Sequence, residues 1–132
     1  MIMLFFCLLT VARAAVTCPP NAGNSTHYHV GILHSQTGVM AASEISVITS
    51  ELLAIQEIND AGGLLGKTIV PVIVDGQSVP DDFEAAANEL TGASCGVETI
   101  FGCWTSSSRK AVLNVVEQKN ALLYYPLQYE GQ

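Results

Sequence analysis

Positive charge is what this sequence has least of. Five Lys and Arg stand against twelve Asp and Glu among 132 residues, a formal net charge of −7. Arg109-Lys110 is the only adjacent basic pair. No basic patch is therefore present to neutralise phosphates, which excludes nucleic acid as a partner. Charge of either sign is scarce, at 13%, while 49% of the residues are hydrophobic. Such a chain does not remain disordered, and its length suffices for one modest domain with a core.

Metal-ligand spacing is missing as well. There is no C-x-x-C and no His/Cys cluster, so no metal or cofactor is implied. The apolar run Ile2 to Val11 is too short to span a bilayer. Residues 1–14, "MIMLFFCLLTVARA", read instead as a secretory signal that ends in the small-x-small pattern Ala12-Arg13-Ala14. The alternative is a buried N-terminal strand or helix. Export places the chain outside the cytoplasm, as a periplasmic, secreted or cell-surface protein. It also removes Cys7 and leaves Cys18, Cys95 and Cys103, an odd number. Cys103 lies in an apolar run and reads as a small buried hydrophobe, which leaves Cys18 and Cys95 as the expected pair. Residues 15–26 contain "CPPNAGNST", an expected exposed loop, with a glycosylation sequon at Asn24.

From His27 onward the chain alternates strand and helix. "HYHVGILHS" is a strand, ended by "QTG". Ile45, Ile48, Leu52, Ile55 and Ile58 then mark one face of a long helix, which Gly62-Gly63 stops. "TIVPVIVDG" (68–76) is a second strand, its near-continuous apolar residues fitting coverage on both faces, with Pro71 fitting an edge or early position. "SVPDDFEAAANEL" opens a second helix, with Ser78 as the expected cap and Pro80 in the first turn. "VETIFGCW" is the third strand, "SSSRKAVLNVVEQKN" the third helix and "ALLYYPL" the fourth strand. The expectation is an α/β fold, a parallel sheet with helices on both faces.

Parallel sheets hold ligands at the carboxyl ends of their strands. Thr105 to Ser108 fall at such an end and at a helix amino terminus, where free N–H groups and hydroxyls receive an oxygen or an anion. The plainer reading is capping, with one serine as cap and the others solvated. His34, Asp75 and Ser106 share this edge, which raises a secreted serine hydrolase as one alternative. The surroundings of Ser106, "GCWTS", do not match the nucleophile elbow of such enzymes. "DAGGLLGK" follows a helix and precedes a strand, the reverse of the order a phosphate loop needs. Trp104, Tyr124, Tyr125 and Tyr129 supply aromatic walls for a small neutral polar ligand. Their bland reading puts Tyr124 in the core and Tyr125 over an edge.

Four segments carry a family resemblance: "VGILHSQTGVMAASE", "ELLAIQEINDAGGLLGKTIVPVIVDG", "FGCWTSSSRKAVLNVVE" and "ALLYYPLQYEGQ". Together they resemble the urea-binding component of urea ABC transporters, and they are similar to bacterial short-chain amide sensors. Both are type 1 periplasmic binding proteins, as are branched-chain amino acid binders. The resemblance implies a two-lobed clamshell that is not an enzyme. Residues 27–132 would form part of its N-terminal lobe, with the second lobe missing. It implies urea or a short amide as ligand and an ABC permease or membrane receptor module as partner. An amino-acid-binding receptor ectodomain is the alternative within the same fold. Carried over by position, Ser106 resembles the hydroxyl that meets the amide, and Tyr125 the pocket tyrosine. Trp104, Leu127 and Gln128 resemble the urea branch. Thr105 belongs to the same hydroxyl cluster, and Thr37 to the turn facing the cleft. Val79 departs from the family, which has an acidic residue there.

Overall fold

The computed structural model describes residues 15–19 and 26–131. The expected signal (1–14) and Asn24 lie outside them. Among the described residues the chain runs β1 (His27–His34), α1 (Ala41–Asp60), β2 (Thr68–Asp75), α2 (Pro80–Leu90), β3 (Thr99–Gly102), α3 (Ser106–Lys119) and β4 (Leu122–Tyr124). All pairings are parallel, in the order β2-β1-β3-β4. The α/β class and the parallel sheet are those the sequence led us to expect. The fourth strand is shorter, stopping at Tyr124 rather than continuing through Pro126, whose ring removes a ladder donor.

Side-chain alternation assigns the faces. Leu33, Val72, Val74 and Ile100 join Phe83, Ala86, Ala87 and Leu90 of α2 and Val112, Val115 and Val116 of α3 in one core. On the opposite face lies α1, anchored by Ile48, Glu44 and the paired bonds of Asn59 to the Ile69 amide and carbonyl, both 2.8 Å. Of the five residues that mark one face of α1, only Ile48 is fully buried, and Ile45 and Ile58 are exposed. The helix covers one part of its sheet face, so a full apolar stripe has nothing to pack against. Coverage of β2 on both faces is likewise incomplete: it is an edge strand, and Ile73 stays 41% exposed.

Two glycine positions define the geometry. The backbone turns at Gly63, where φ is +79° and its amide reaches back to Ile58 O at 2.9 Å, ending α1 as expected. A Cβ at Gly102 would collide with the Leu33 carbonyl oxygen, so β1 and β3 approach closely at their carboxyl ends only with glycine there. The expected cap of α2 is different: Val79 is the N-cap and makes no side-chain bond. Ser78 instead accepts from the Met40 amide at 3.0 Å and donates to Thr37 O at 2.9 Å, which ties the β1–α1 loop to the β2–α2 loop. Residues 15–19 are not a free loop. The Val16 amide donates to Glu89 at 2.9 Å, Cys18 is joined to Cys95, and both Val16 and Cys18 pack on the core. Cys103 is a free buried thiol. No helix among the described residues is long and apolar enough to cross a membrane.

Candidate functional site

From β1 the chain crosses to β2 on one side and then to β3 on the other. The carboxyl ends of β1 and β3 therefore flank a topological switch point, where loops diverge and leave a crevice. The loop after β1 is held by Asp75 at the end of β2. Asp75 Oδ1 accepts from the amides of Gln36 (2.8 Å), Thr37 (3.2 Å) and Gln77 (2.8 Å), and Oδ2 accepts from the Thr37 hydroxyl (2.7 Å). Burial alone would raise the Asp75 pKa, but these bonds outweigh it and hold the carboxyl below its ordinary value. The hydroxyl of Thr37, a predicted contact, is thus committed to Asp75.

Across the crevice, β3 ends in Gly102 and a left-handed Cys103, and α3 begins. Thr105, rather than one of the serines, is the cap: its Oγ1 accepts from the Ser108 amide at 3.1 Å. The same oxygen bonds the hydroxyls of Ser107 (3.0 Å) and Ser108 (2.9 Å). Ser106 and Ser107 occupy the first turn, where amides have no intrahelical acceptor. Ser106 is half-buried, as are Trp104 and Thr105.

The segment after β4 passes this amino terminus. Tyr125 donates its hydroxyl to Trp104 O at 2.9 Å and packs against the core, while Tyr124 is 55% exposed on the α1 face, stacked on Phe101. This reverses the bland assignment of the two tyrosines. Leu127 is half-buried and Gln128 exposed. Sequence reasoning missed two residues. Arg109, one turn into α3, has a side chain only 5% exposed. Its Nη2 donates to Glu130 Oε1 (3.2 Å) and Gly131 O (2.8 Å), and its guanidinium lies 5.4 Å from the Tyr125 ring and 4.7 Å from that of Tyr129. The neighbouring Ser106 side chain, with the Arg109 guanidinium adding to it, holds the exposed Glu130 carboxyl below its ordinary value. The adjacent pair Arg109-Lys110 was the only signal in the sequence, and it does not reveal that one member turns inward.

The Ser–His–Asp alternative is overturned by geometry. His34 faces α1, its Nδ1 3.0 Å from Glu44 and its Nε2 3.3 Å from Glu51, with neither nitrogen left for Ser106. Asp75 is spent on the loop. Gly92 to Gly96, "GASCG", does spell the elbow string. It precedes a strand instead of following one, and its Cys95 is joined to Cys18. A separate cavity of about 750 Å³ opens between α1 and the partly covered sheet face, lined by Val30, Ile55, Phe101 and Tyr124 among others. It does not include Ser106 or Thr37, and we place the candidate site at the switch point, where the polar donors converge.

Residues 28–132 match the family described as periplasmic binding protein domain. The chain is 30% identical over 97 residues to the Leu/Ile/Val-binding protein BraC3 of Rhizobium johnstonii, covering 74% of this chain and 26% of that one. Among solved structures it resembles the branched-chain amino acid transporter substrate binding protein LivJ of Streptococcus pneumoniae in complex with isoleucine. That match has 26% identity and a TM-score of 0.71, over 74% of this chain and 28% of the other. It also resembles a fatty acid ABC transporter substrate-binding protein of Thermomonospora curvata, with 27% identity and a TM-score of 0.66, over 80% and 26% of the two chains. The chain spans about a quarter of the length of the curated relatives it matches. The relatives named are substrate-binding proteins rather than enzymes.

Proposed function

As the chain belongs to the periplasmic binding protein domain family, we propose that it supplies one wall of an extracytoplasmic solute-binding cleft serving ABC-type uptake. The observation that carries this is the α3 amino terminus at the switch point, with the half-buried Ser106 beside amides that lack intrahelical acceptors. A carbonyl oxygen of the ligand takes the Ser106 hydroxyl and first-turn N–H groups, and Trp104 and the 125–131 segment border it. A ligand that touches two lobes only when they close shifts the open–closed equilibrium toward the closed form.

Two ligand classes fit. The named relatives favour an amino acid, since two carry branched-chain amino acid names. The resemblance carried by Trp104, Leu127 and Gln128 favours urea or a short amide, and we adopt that reading. The start of α3 suits both classes, because first-turn amides and the Ser106 hydroxyl receive a carboxylate as well as a carbonyl oxygen. Titration with acetamide, urea and leucine, followed through the backbone amides of residues 105–108, tests the proposal. Acetamide or urea should move those resonances, and Ser106→Ala should weaken the response. If none of the three moves them, the solute-cleft reading is wrong; a response to leucine alone selects the amino-acid reading.

A further inference from the structure

We propose that the cavity between α1 and the sheet is a second ligand site, suited to a primary amine on an aromatic body, with Glu51 receiving the ammonium group. This site is separate from the α3 amino terminus and does not depend on how that region holds a solute.

The cavity exists because α1 lies chiefly over β1 and β2 and leaves the same face of β3 and β4 open. Phe101 of β3 and Tyr124 of β4 line it on that side, their rings stacked with centroids 5.1 Å apart. Tyr124 stays 55% exposed, so the described residues leave this aromatic surface uncovered. The volume of about 750 Å³ falls within the range of small-molecule sites. An aromatic ring with a short tail fits such a space.

Charge selects the ligand. Glu51 Oε1 lies 3.3 Å from His34 Nε2, while Glu51 Oε2 is buried with no hydrogen-bond partner. A buried acceptor left without a donor is costly, and an ammonium N–H supplies one. His34 does not neutralise the pair of carboxylates around it. Burial opposes charge on its ring, but the bonds to Glu44 and Glu51 raise its pKa to about 9, so at neutral pH it is a cation. That one cation serves both Glu44, at 3.0 Å, and Glu51, so the group keeps an excess of negative charge. The other charged residues of the lining, Lys67 and Glu98, are opposite in sign, and Lys67 is placed over the Tyr28 ring, 4.5 Å from its centre. An amine therefore meets an unpartnered carboxylate oxygen, uncompensated negative charge and aromatic faces that attract a cation. A carboxylate of the same size meets like charge instead. His29 Nε2, also buried without a partner and also of the lining, is a further polar atom for such a ligand.

Phenethylamine, 2-phenylethanol and 3-phenylpropanoate share an aromatic body and differ in charge. Each is titrated at pH 7 into the chain of residues 1–132 and followed through the ring resonances of Phe101 and Tyr124 and the backbone amides of residues 105–108. Phenethylamine should move the rings and leave the amides unmoved. It should bind about tenfold more tightly than the alcohol, the difference between a charge-assisted hydrogen bond and a neutral one, and the carboxylate should bind most weakly. Glu51→Gln should bring the amine to the alcohol's affinity and leave the alcohol unchanged. Tyr124→Ala, at a position outside the core, should weaken amine and alcohol alike, and it reads the site even where the loss of Glu51 unsettles α1. The proposal is overturned if the amine binds no more tightly than the alcohol in wild type, or if it moves the amides of residues 105–108 in place of the rings. A folded Glu51→Gln chain with wild-type affinity for the amine overturns it equally.

Discussion

Raising the pH from 6 to 9 should remove a large part of this fold's stability, and His34 should be the cause. The ring is 0% exposed at the end of β1, with Glu44 and Glu51 of α1 on its two nitrogens. Burial works against a charged imidazole. The hydrogen bonds to Glu44 and Glu51, with their negative charges, outweigh it and raise the pKa from 6.5 to about 9. The folded value lies above the unfolded one, so protonation favours the fold. The contribution is complete below about pH 6.5, erodes as pH climbs, and is lost as pH passes through about 9. At about 1.4 kcal/mol per tenfold, it amounts to roughly 3 kcal/mol. That is a substantial fraction of the roughly 5–15 kcal/mol that holds a typical domain.

The assay is guanidinium chloride unfolding at pH 6, 7, 8 and 9, read by Trp104, the sole tryptophan. Measurements stop at pH 9 because a second group enters beyond it. Burial, with the charge of Glu44 adding to it, pushes the Cys103 thiol up to about 12, so its ionisation also favours unfolding in alkali. Wild type should lose roughly 3 kcal/mol across the series. Glu51→Gln removes one carboxylate and should move the loss to lower pH. Ring resonances of His34 report its titration directly. Stability that stays flat from pH 6 to 9, or a His34 ring that titrates at or below 6.5, refutes the reasoning.

Two substitutions probe the frame of the site. Gly102→Ala drives a Cβ into the Leu33 carbonyl, rigid backbone at the β1–β3 seam, and should cost about 2 kcal/mol by denaturation; a loss below about 0.5 kcal/mol would mean the strands separate freely there. Thr105→Ala removes the cap of α3 and should cost about 1 kcal/mol, with faster hydrogen exchange at the Ser108 amide, whereas Thr105→Ser should restore both.

The legible part of the fold was the part set by local pattern. The apolar strands, the glycine stop after α1 and the hydroxyls after β3 each carry their signal within a few residues. What escaped depends on partners far apart in sequence. Ser78 looks like a cap because serine before proline usually is one, but its hydroxyl is drawn to the loop after β1 by Met40 and Thr37. In α1, periodicity marks an apolar face without saying how much sheet lies beneath it. Nothing local marks Glu44 and Glu51 as partners of His34, and only tertiary structure pairs them. The candidate site was half legible. Its position followed from the strand end, but Arg109 and Glu130 are 21 residues apart, and no local rule joins them.

That division bears on how such a site changes its ligand. On one side of the crevice Asp75 holds three loop amides and Ser78 ties two loops together, and across it Thr105 caps α3. Replacing any of these leaves a donor or acceptor unpaired and disturbs the frame as well as the pocket. The 125–131 segment, which passes the α3 amino terminus, lies outside the sheet ladder and is held by the Tyr125 hydroxyl and the Arg109 guanidinium. Leu127, Gln128 and Glu130 there carry little of the core, since Gln128 and Glu130 are exposed and Leu127 is half-buried. Substitutions in this segment can alter the charge and shape of the site at small cost to stability. A shift between amide and amino-acid ligands is therefore most accessible through residues 127–130, with the hydroxyl cluster at the start of α3 kept as the shared receptor for a ligand oxygen.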